Sequence, residues 1–160
     1  MNLKLYTDIA LRVMLHLGQR HGTRSSVGEI IAAHAVSRGH ITKVVHDLAK
    51  AGFIASVRGH KGGIWLARPP EAINVGALVR HAEGHWDLLG CKACTISPQC
   101  GFNPLLAEAL DAFLAVLDGY TLADVLAASP GESSLLATAA GGADNAIHPT
   151  GPDLEPGGQL

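Results

Sequence analysis

Apolar residues recur along the first seventy positions with two different periods, and capping residues divide them into short elements. Ala10, Val13, Met14 and Leu17 stand at i, i+3, i+4 and i+7, which predicts a first helix, with Thr7 placed to cap it and Asp8 suited to its positive end. The polar, glycine-bearing run from Gly18 to Ser25 stops that helix. Ser26-Val27-Gly28-Glu29 has the spacing of a capping box and predicts a short second helix through Ile30, Ile31 and Ala33 to about His34. Ala35-Val36 forms the turn. Ser37 then caps a third helix whose buried side is Ile41, Val44, Val45 and Leu48, ended by Ala51-Gly52. Two short capped helices across a tight turn read as a helix-turn-helix.

The period then changes to two. Residues 53–58 and 64–67 alternate as strands, the second ended by Pro69-Pro70, and Gly59-His60-Lys61-Gly62-Gly63 between them is a basic, glycine-rich hairpin tip in the form of a wing. Its glycines lack the Walker spacing and the following helix of a P-loop. Asn74 caps a further helix through Val75, Leu78, Val79 and Ala82. Pro104 in N1 position opens a long helix with a stripe of Leu106, Ala109, Leu110, Phe113 and Leu117, widened by Leu105, Ala112 and Val116. So broad an apolar surface on a small chain predicts that a second copy covers it. Gly119 ends this helix and Thr121 caps a brief turn through Leu122, Val125 and Leu126. From Ser129 onward Gly, Pro, Ala and Ser dominate without periodicity, so the tail is expected to be disordered.

The expected architecture is therefore mainly α with a small β-hairpin wing. Residues 1–70 form a winged helix-turn-helix, 71–128 a loop and a long dimerisation helix, and 129–160 a disordered tail. At 160 residues the chain holds one well-buried domain with appendages. No run approaches the ~20 apolar residues of a membrane span and no signal peptide is evident, so a cytoplasmic protein is expected.

Charge sharpens this picture. The chain carries a formal net charge of −2, yet residues 1–70 hold ten Lys/Arg against three acids, net +7, and the remainder is net −9. A basic module joined to an acidic segment points to a polyanionic partner for the first. A recognition helix presents its N-terminal residues to base edges, which directs Ser37, Arg38, His40 and Lys43 toward double-stranded DNA. Arg38 suits bidentate readout of guanine, while Ser37, Thr42 and Lys43 suit phosphates. Arg58, His60 and Lys61 of the wing would lie near the minor groove or its backbone.

All three cysteines fall within ten residues, at Cys91, Cys94 and Cys100, in a loop containing Pro98 and flanked by Gly90 and Gly101. An odd count excludes a closed set of disulfides. Converging thiolates are the donor set of a soft metal ion or an iron–sulfur cluster. Spacing alone does not separate that cluster from a structural zinc of Cys3His type using His81 or His85, or from a C-x-x-C redox pair at Cys91 and Cys94. The redox reading lacks the βαβ context that such a pair ordinarily occupies.

Several stretches together resemble the Rrf-type winged-helix iron–sulfur regulators: Tyr6-Thr7-Asp8-Ile9-Ala10-Leu11-Arg12, Val36-Ser37-Arg38, Leu48-Ala49-Lys50-Ala51-Gly52-Phe53, Val57-Arg58-Gly59-His60-Lys61-Gly62-Gly63-Ile64-Trp65-Leu66 and the three-cysteine loop. Thr95-Ile96-Ser97-Pro98-Gln99-Cys100 and Tyr120-Thr121-Leu122-Ala123-Asp124 are most similar to the nitric-oxide-sensing repressors of that family. The resemblance covers roughly residues 1 to 127. It implies a homodimer on a palindromic operator and a cluster bound by Cys91, Cys94 and Cys100. Its fourth ligand is an aspartate at the start of the first helix, supplied by the other subunit, and Asp8 stands at that position. The resemblance implies a [4Fe-4S] cluster over [2Fe-2S], one iron of which the three cysteines would leave without a thiolate. The same resemblance implies a repressor that senses nitric oxide, with iron or cluster status as the other signal such regulators read. Two departures stand: only two residues separate Cys91 from Cys94, and Gly39 replaces a larger polar residue in the recognition helix.

Overall fold

The apolar repeat at the N-terminus becomes the central helix of the fold. In the computed structural model, which describes residues 3–59, 62–84, 86 and 100–129, the elements run in the order α1 (Leu5–Gln19), α2 (Val27–His34), α3 (Arg38–Lys50), β1 (Ile54–Val57), β2 (Gly63–Leu66), a 3-10 turn at Pro70–Ala72, α4 (Val75–Glu83), α5 (Phe102–Asp118) and α6 (Leu122–Ala128). All described residues lie in the unit Met1–Ser129. Cys91, Cys94, His60, Lys61, His85 and the tail expected to be disordered, from residue 130, fall outside the described residues.

Ile9, Ala10, Val13, Met14 and Leu17 of α1 are all buried, and α1 packs against α2, α3, α4, α6 and β2. From α3 the core receives Ile41, Val44, Val45 and Leu48, the stripe expected from its spacing. The capping box of α2 is complete: Glu29 N–H donates to Ser26 Oγ at 3.1 Å, and the Ser26 N–H donates back to the Glu29 carboxylate. The turn into α3 places Ala35 at φ 51°, a left-handed conformation more often given to glycine. Ser37 is the N-cap of α3 by position, but its hydroxyl makes no bond to the helix backbone. It pairs with His40 Nδ1 at 2.9 Å instead.

The two strands pair antiparallel with Ile54 opposite Leu66 and Ser56 opposite Ile64. Ile54, Ile64 and Leu66 all face the core, as period-two alternation requires. Ser25 exchanges both backbone hydrogen bonds with Ile64, at 2.9 and 2.8 Å, and so lays the loop before α2 along the outer side of β2. At the wing tip Gly62 N–H bonds Gly59 O at 2.9 Å, and a side chain at Gly62 would place its Cβ 2.1 Å from the Val57 carbonyl. Only glycine fits that turn.

Asn74 caps α4 as expected, accepting from Ala77 N–H at 2.9 Å. The long helix differs from expectation at both its start and its face. It begins at Phe102, so Pro104 is its third residue, a position that still needs no intrahelical N–H partner. Its one buried residue is Leu114, 7% exposed, which the sequence stripe omitted. Phe102 (66%), Leu105 and Val116 (63%) are exposed. Asp118 at its end forms a bidentate pair with Arg80 of α4, at 2.5 and 2.7 Å, and a capping box at Thr121 and Asp124 starts α6.

Thr7 does not cap α1. The N-cap position is Lys4, without a side-chain cap bond, and Thr7 lies fully buried in the first turn. The capping group comes from another helix. Glu83, 6% exposed at the end of α4, accepts from the Lys4 N–H at 2.7 Å and from Thr7 Oγ1 at 2.5 Å with the same oxygen, Oε1. A carboxylate at a helix N-terminus satisfies orphan donors and meets the positive end of the dipole, so it displaces a local hydroxyl cap. The Lys4 ammonium also donates to the Glu83 carbonyl.

This arrangement predicts that Thr7→Val, which keeps the shape and removes the hydroxyl, lowers unfolding stability by about 1.5–3 kcal/mol, the range for a hydrogen bond to a charged group. Urea denaturation measures it, and a loss within error of zero would show that the Thr7 hydroxyl adds nothing to the tie.

Candidate nucleic-acid interface

One face of α3 is core and the other is solvent. Ser37, Arg38, His40, Thr42 and Lys43 are all exposed, opposite Ile41, Val44, Val45 and Leu48. Thr42 commits its hydroxyl proton to the Arg38 carbonyl at 2.8 Å, so it can meet an incoming group only as an acceptor. That disfavours the phosphate contact expected of it. Arg58, at the end of β1, is exposed on the same wing that carries His60 and Lys61, which lie outside the described residues. Between the exposed side of α3 and the wing lies a cleft of about 440 Å³, lined by Thr42, His46, Arg58 and Gly59 with Val27 and Val45 at its apolar base.

Of the four residues expected to bind a cluster, two are described. Cys100 is a free, half-buried thiol just before α5. Asp8, on the first turn of α1, pairs with Arg12 one turn along, at 3.0 Å to Nε and 2.9 Å to Nη2, with 44% of its side chain exposed. Among the described residues no cluster of three His, Cys, Asp or Glu side chains forms a metal site. His81, considered above as a zinc ligand, has its Nε2 2.8 Å from Asp47 Oδ2, so that nitrogen is engaged within the fold.

That last contact belongs to a polar group which sequence reasoning missed. Asp47, on the last turns of α3, receives the Tyr6 hydroxyl at 2.5 Å and His81 Nε2 at 2.8 Å on the same oxygen. The Tyr6 hydroxyl, ahead of His81, holds the Asp47 carboxyl below its usual range against the opposing effect of burial. Burial, then the hydrogen bond to Asp47 and its charge, push the Tyr6 phenol well above its usual value. The His81 ring also lies 5.7 Å from Phe53, on the turn that follows α3. No local pattern signals this group, because its members stand 34 and 41 positions apart.

The polypeptide leaves α4 sharply. Gly84 adopts φ 66° immediately after Glu83, a left-handed value that suits glycine, and Trp86 then packs edge-on against Phe113 of α5 at 6.0 Å. The approach to the cysteine loop is thus held to α1 through Glu83 and to α5 through Trp86.

Residues 3–128 match the family model described as "Rrf2: Iron-dependent Transcriptional regulator". The chain is 44% identical over 132 residues to the HTH-type transcriptional regulator NsrR of Geobacillus kaustophilus, covering 79% of this chain and 90% of that protein. It is 41% identical, with the same coverage, to NsrR of Bacillus subtilis. Among solved structures it is similar to CymR, the global cysteine regulator of B. subtilis, with a TM-score of 0.65, 26% identity, and coverage of 81% of this chain and 99% of that one. It is also similar to T. potens IscR, with a TM-score of 0.63, 27% identity, and coverage of 91% and 94%.

A depressed carboxylate pKa contributes stability that is present above the unfolded value and is lost as pH falls through the folded one. Wild type should therefore lose its stability advantage over Asp47→Asn as the pH drops below about 4, near the ordinary aspartate pKa. Urea midpoints of the two proteins between pH 7 and pH 3 measure this. A constant difference across that window would show that Asp47 is not held low in the folded state.

Proposed function

Since the chain belongs to the Rrf2 family of transcriptional regulators, we propose that it is a homodimeric, sequence-specific repressor whose operator affinity is set by an iron–sulfur cluster that senses nitric oxide. It is a regulator of transcription rather than an enzyme. The observation that carries the reading is the exposed face of α3, with Arg38, His40 and Lys43 turned outward, in a chain about 40% identical to regulators named NsrR. We place it in the cytoplasm with its DNA; among the described residues no helix is long and apolar enough to cross a membrane.

Cys91, Cys94 and Cys100 would hold the cluster, with Asp8 of the opposite subunit as fourth ligand. The donor set suits a [4Fe-4S] group, three soft thiolates and one harder carboxylate. Such a cluster supplies iron that reacts with nitric oxide. For Asp8 to serve, its present partner must let go, and that costs little: an exposed i,i+4 ion pair contributes ~0.3–0.5 kcal/mol. Arg12 then remains beside the site as a positive charge.

The second copy is supported by α5. Phe102, Leu105 and Val116 form an exposed apolar surface on a helix that buries only Leu114 within its own chain. A partner helix covering it would bring the two recognition helices to successive half-sites about one helical turn apart, or a multiple.

Iron or cluster status is the second reading, favoured by the family description as iron-dependent. Anaerobic, cluster-loaded protein titrated into a selected palindrome separates the two. Nitric oxide should release the DNA where iron chelation at matched cluster content does not. Failure to prefer any palindrome over random DNA would sink the regulator reading altogether. Arg38→Ala should reduce discrimination at its base by about 1–3 kcal/mol. Val116→Asp should shift the protein to monomer on size-exclusion chromatography. Asp8→Ala should retain dimer and fold but alter the visible absorption of the cluster, and an unchanged spectrum would return Asp8 to its pairing with Arg12.

A further inference from the structure

The Tyr6–Asp47–His81 group joins three segments that the proposed function needs to communicate. Tyr6 is two residues before Asp8 on the first turn of α1. His81 is two residues before Glu83, at the end of α4 where the chain leaves for the cysteines. Asp47 is on the recognition helix itself. One oxygen, Asp47 Oδ2, receives both donors, at 2.5 and 2.8 Å. Its position is therefore set by where the first turn of α1 and the last turn of α4 stand relative to each other.

Energy magnitudes show what this group contributes. The buried apolar residues Ile41, Val44, Val45 and Leu48 already hold α3 on the core. A half-exposed pair such as Asp47 with His81 adds little beside them. It is a minor term in stability, but it is directional where apolar packing is not. Asp47 stands nine residues from Arg38 along a helix rising ~1.5 Å per residue, a lever of roughly 13 Å. A tilt of about 10° about the Asp47 end would move the Arg38 backbone by roughly 2 Å on that lever, enough to break bidentate contact with a base.

We propose that Asp47, held between Tyr6 and His81, is the positioning residue that transmits the state of the cluster ligands to the recognition helix. The inference rests on the proposed function and adds to it the route within the subunit. Asp8, two residues from Tyr6, and the cysteines beyond Glu83 would hold the cluster, so a change in that ligation would shift the turns that carry Tyr6 and His81, and Asp47 would follow both.

The test is the ratio of operator affinity between cluster-loaded and cluster-free protein, measured by anaerobic fluorescence anisotropy. Tyr6→Phe keeps the ring and removes one donor; His81→Leu removes the other; His81→Gln returns an amide N–H near the position of Nε2. Wild type should show a ratio of about tenfold or more. Tyr6→Phe and His81→Leu should each compress it about fivefold, mainly by changing the affinity of the cluster-free protein, with cluster absorption and dimer content unchanged. His81→Gln should restore most of it. A full wild-type ratio in Tyr6→Phe and His81→Leu overturns the proposal while leaving the function standing, because Asp47 would then be a structural tie only. No ratio in wild type overturns both. Should Tyr6→Phe fail to fold, the His81→Leu and His81→Gln pair decides the outcome alone.

Discussion

The first turn of α1 is gripped from outside by two carboxylates, and the placement of α3 and α4 around that turn is fixed by the grip. Helix starts carry orphan N–H groups that need acceptors. Here the acceptor is Glu83 of α4, which takes both the Lys4 N–H and the Thr7 hydroxyl at a site only 6% exposed. The preceding side chain, Tyr6, turns to Asp47 of α3. The following one, Asp8, turns to solvent and pairs with Arg12 of its own helix. Successive side chains on a helix point about 100° apart, so three consecutive residues address three different places: Asp47 of α3, Glu83 at the end of α4, and solvent.

The rest of the molecule is arranged around the same helix. Because α1 is apolar on most of its inward positions, it packs against α3 and α4 together, and the Asp47–His81 contact joins these two directly as well. The wing is fastened to this assembly through β2 and the Ser25 bridge. α5 is fastened through Arg80 and Asp118 at one end and Trp86 with Phe113 along its length. What it leaves open, the surface of Phe102, Leu105 and Val116, is where the proposed second copy fits.

Local chemistry was legible in the sequence and long-range chemistry was not. Ser26, Asn74 and Thr121 cap the helices expected of them, because a cap involves residues three apart and nothing distant competes. The strands and the outward side of α3 follow from period and spacing alone. Thr7 was misread because a better acceptor arrives from 76 positions away. The face of α5 was misjudged at Leu114 because the stripe could be drawn along several rows of a helix apolar over so much of its circumference. Asp47 gave no signal at all: an acid on an exposed-looking helix position carries no mark of the tyrosine and histidine that will meet it. The expected cluster ligands come from thiolate chemistry and, for Asp8, from the family resemblance, and Asp8 and Cys100 are the members whose surroundings the structure describes.

The central claim, that the first turn of α1 links the cysteine loop to the recognition helix, is tested most directly by amide hydrogen exchange on the cluster-loaded dimer before and after nitric oxide. If it is right, protection changes together in residues 5–8, 75–83 and 38–50, with α2 and the β-hairpin unaltered. A change confined to the segment around Cys91, Cys94 and Cys100, with α3 exchanging as before, would contradict it.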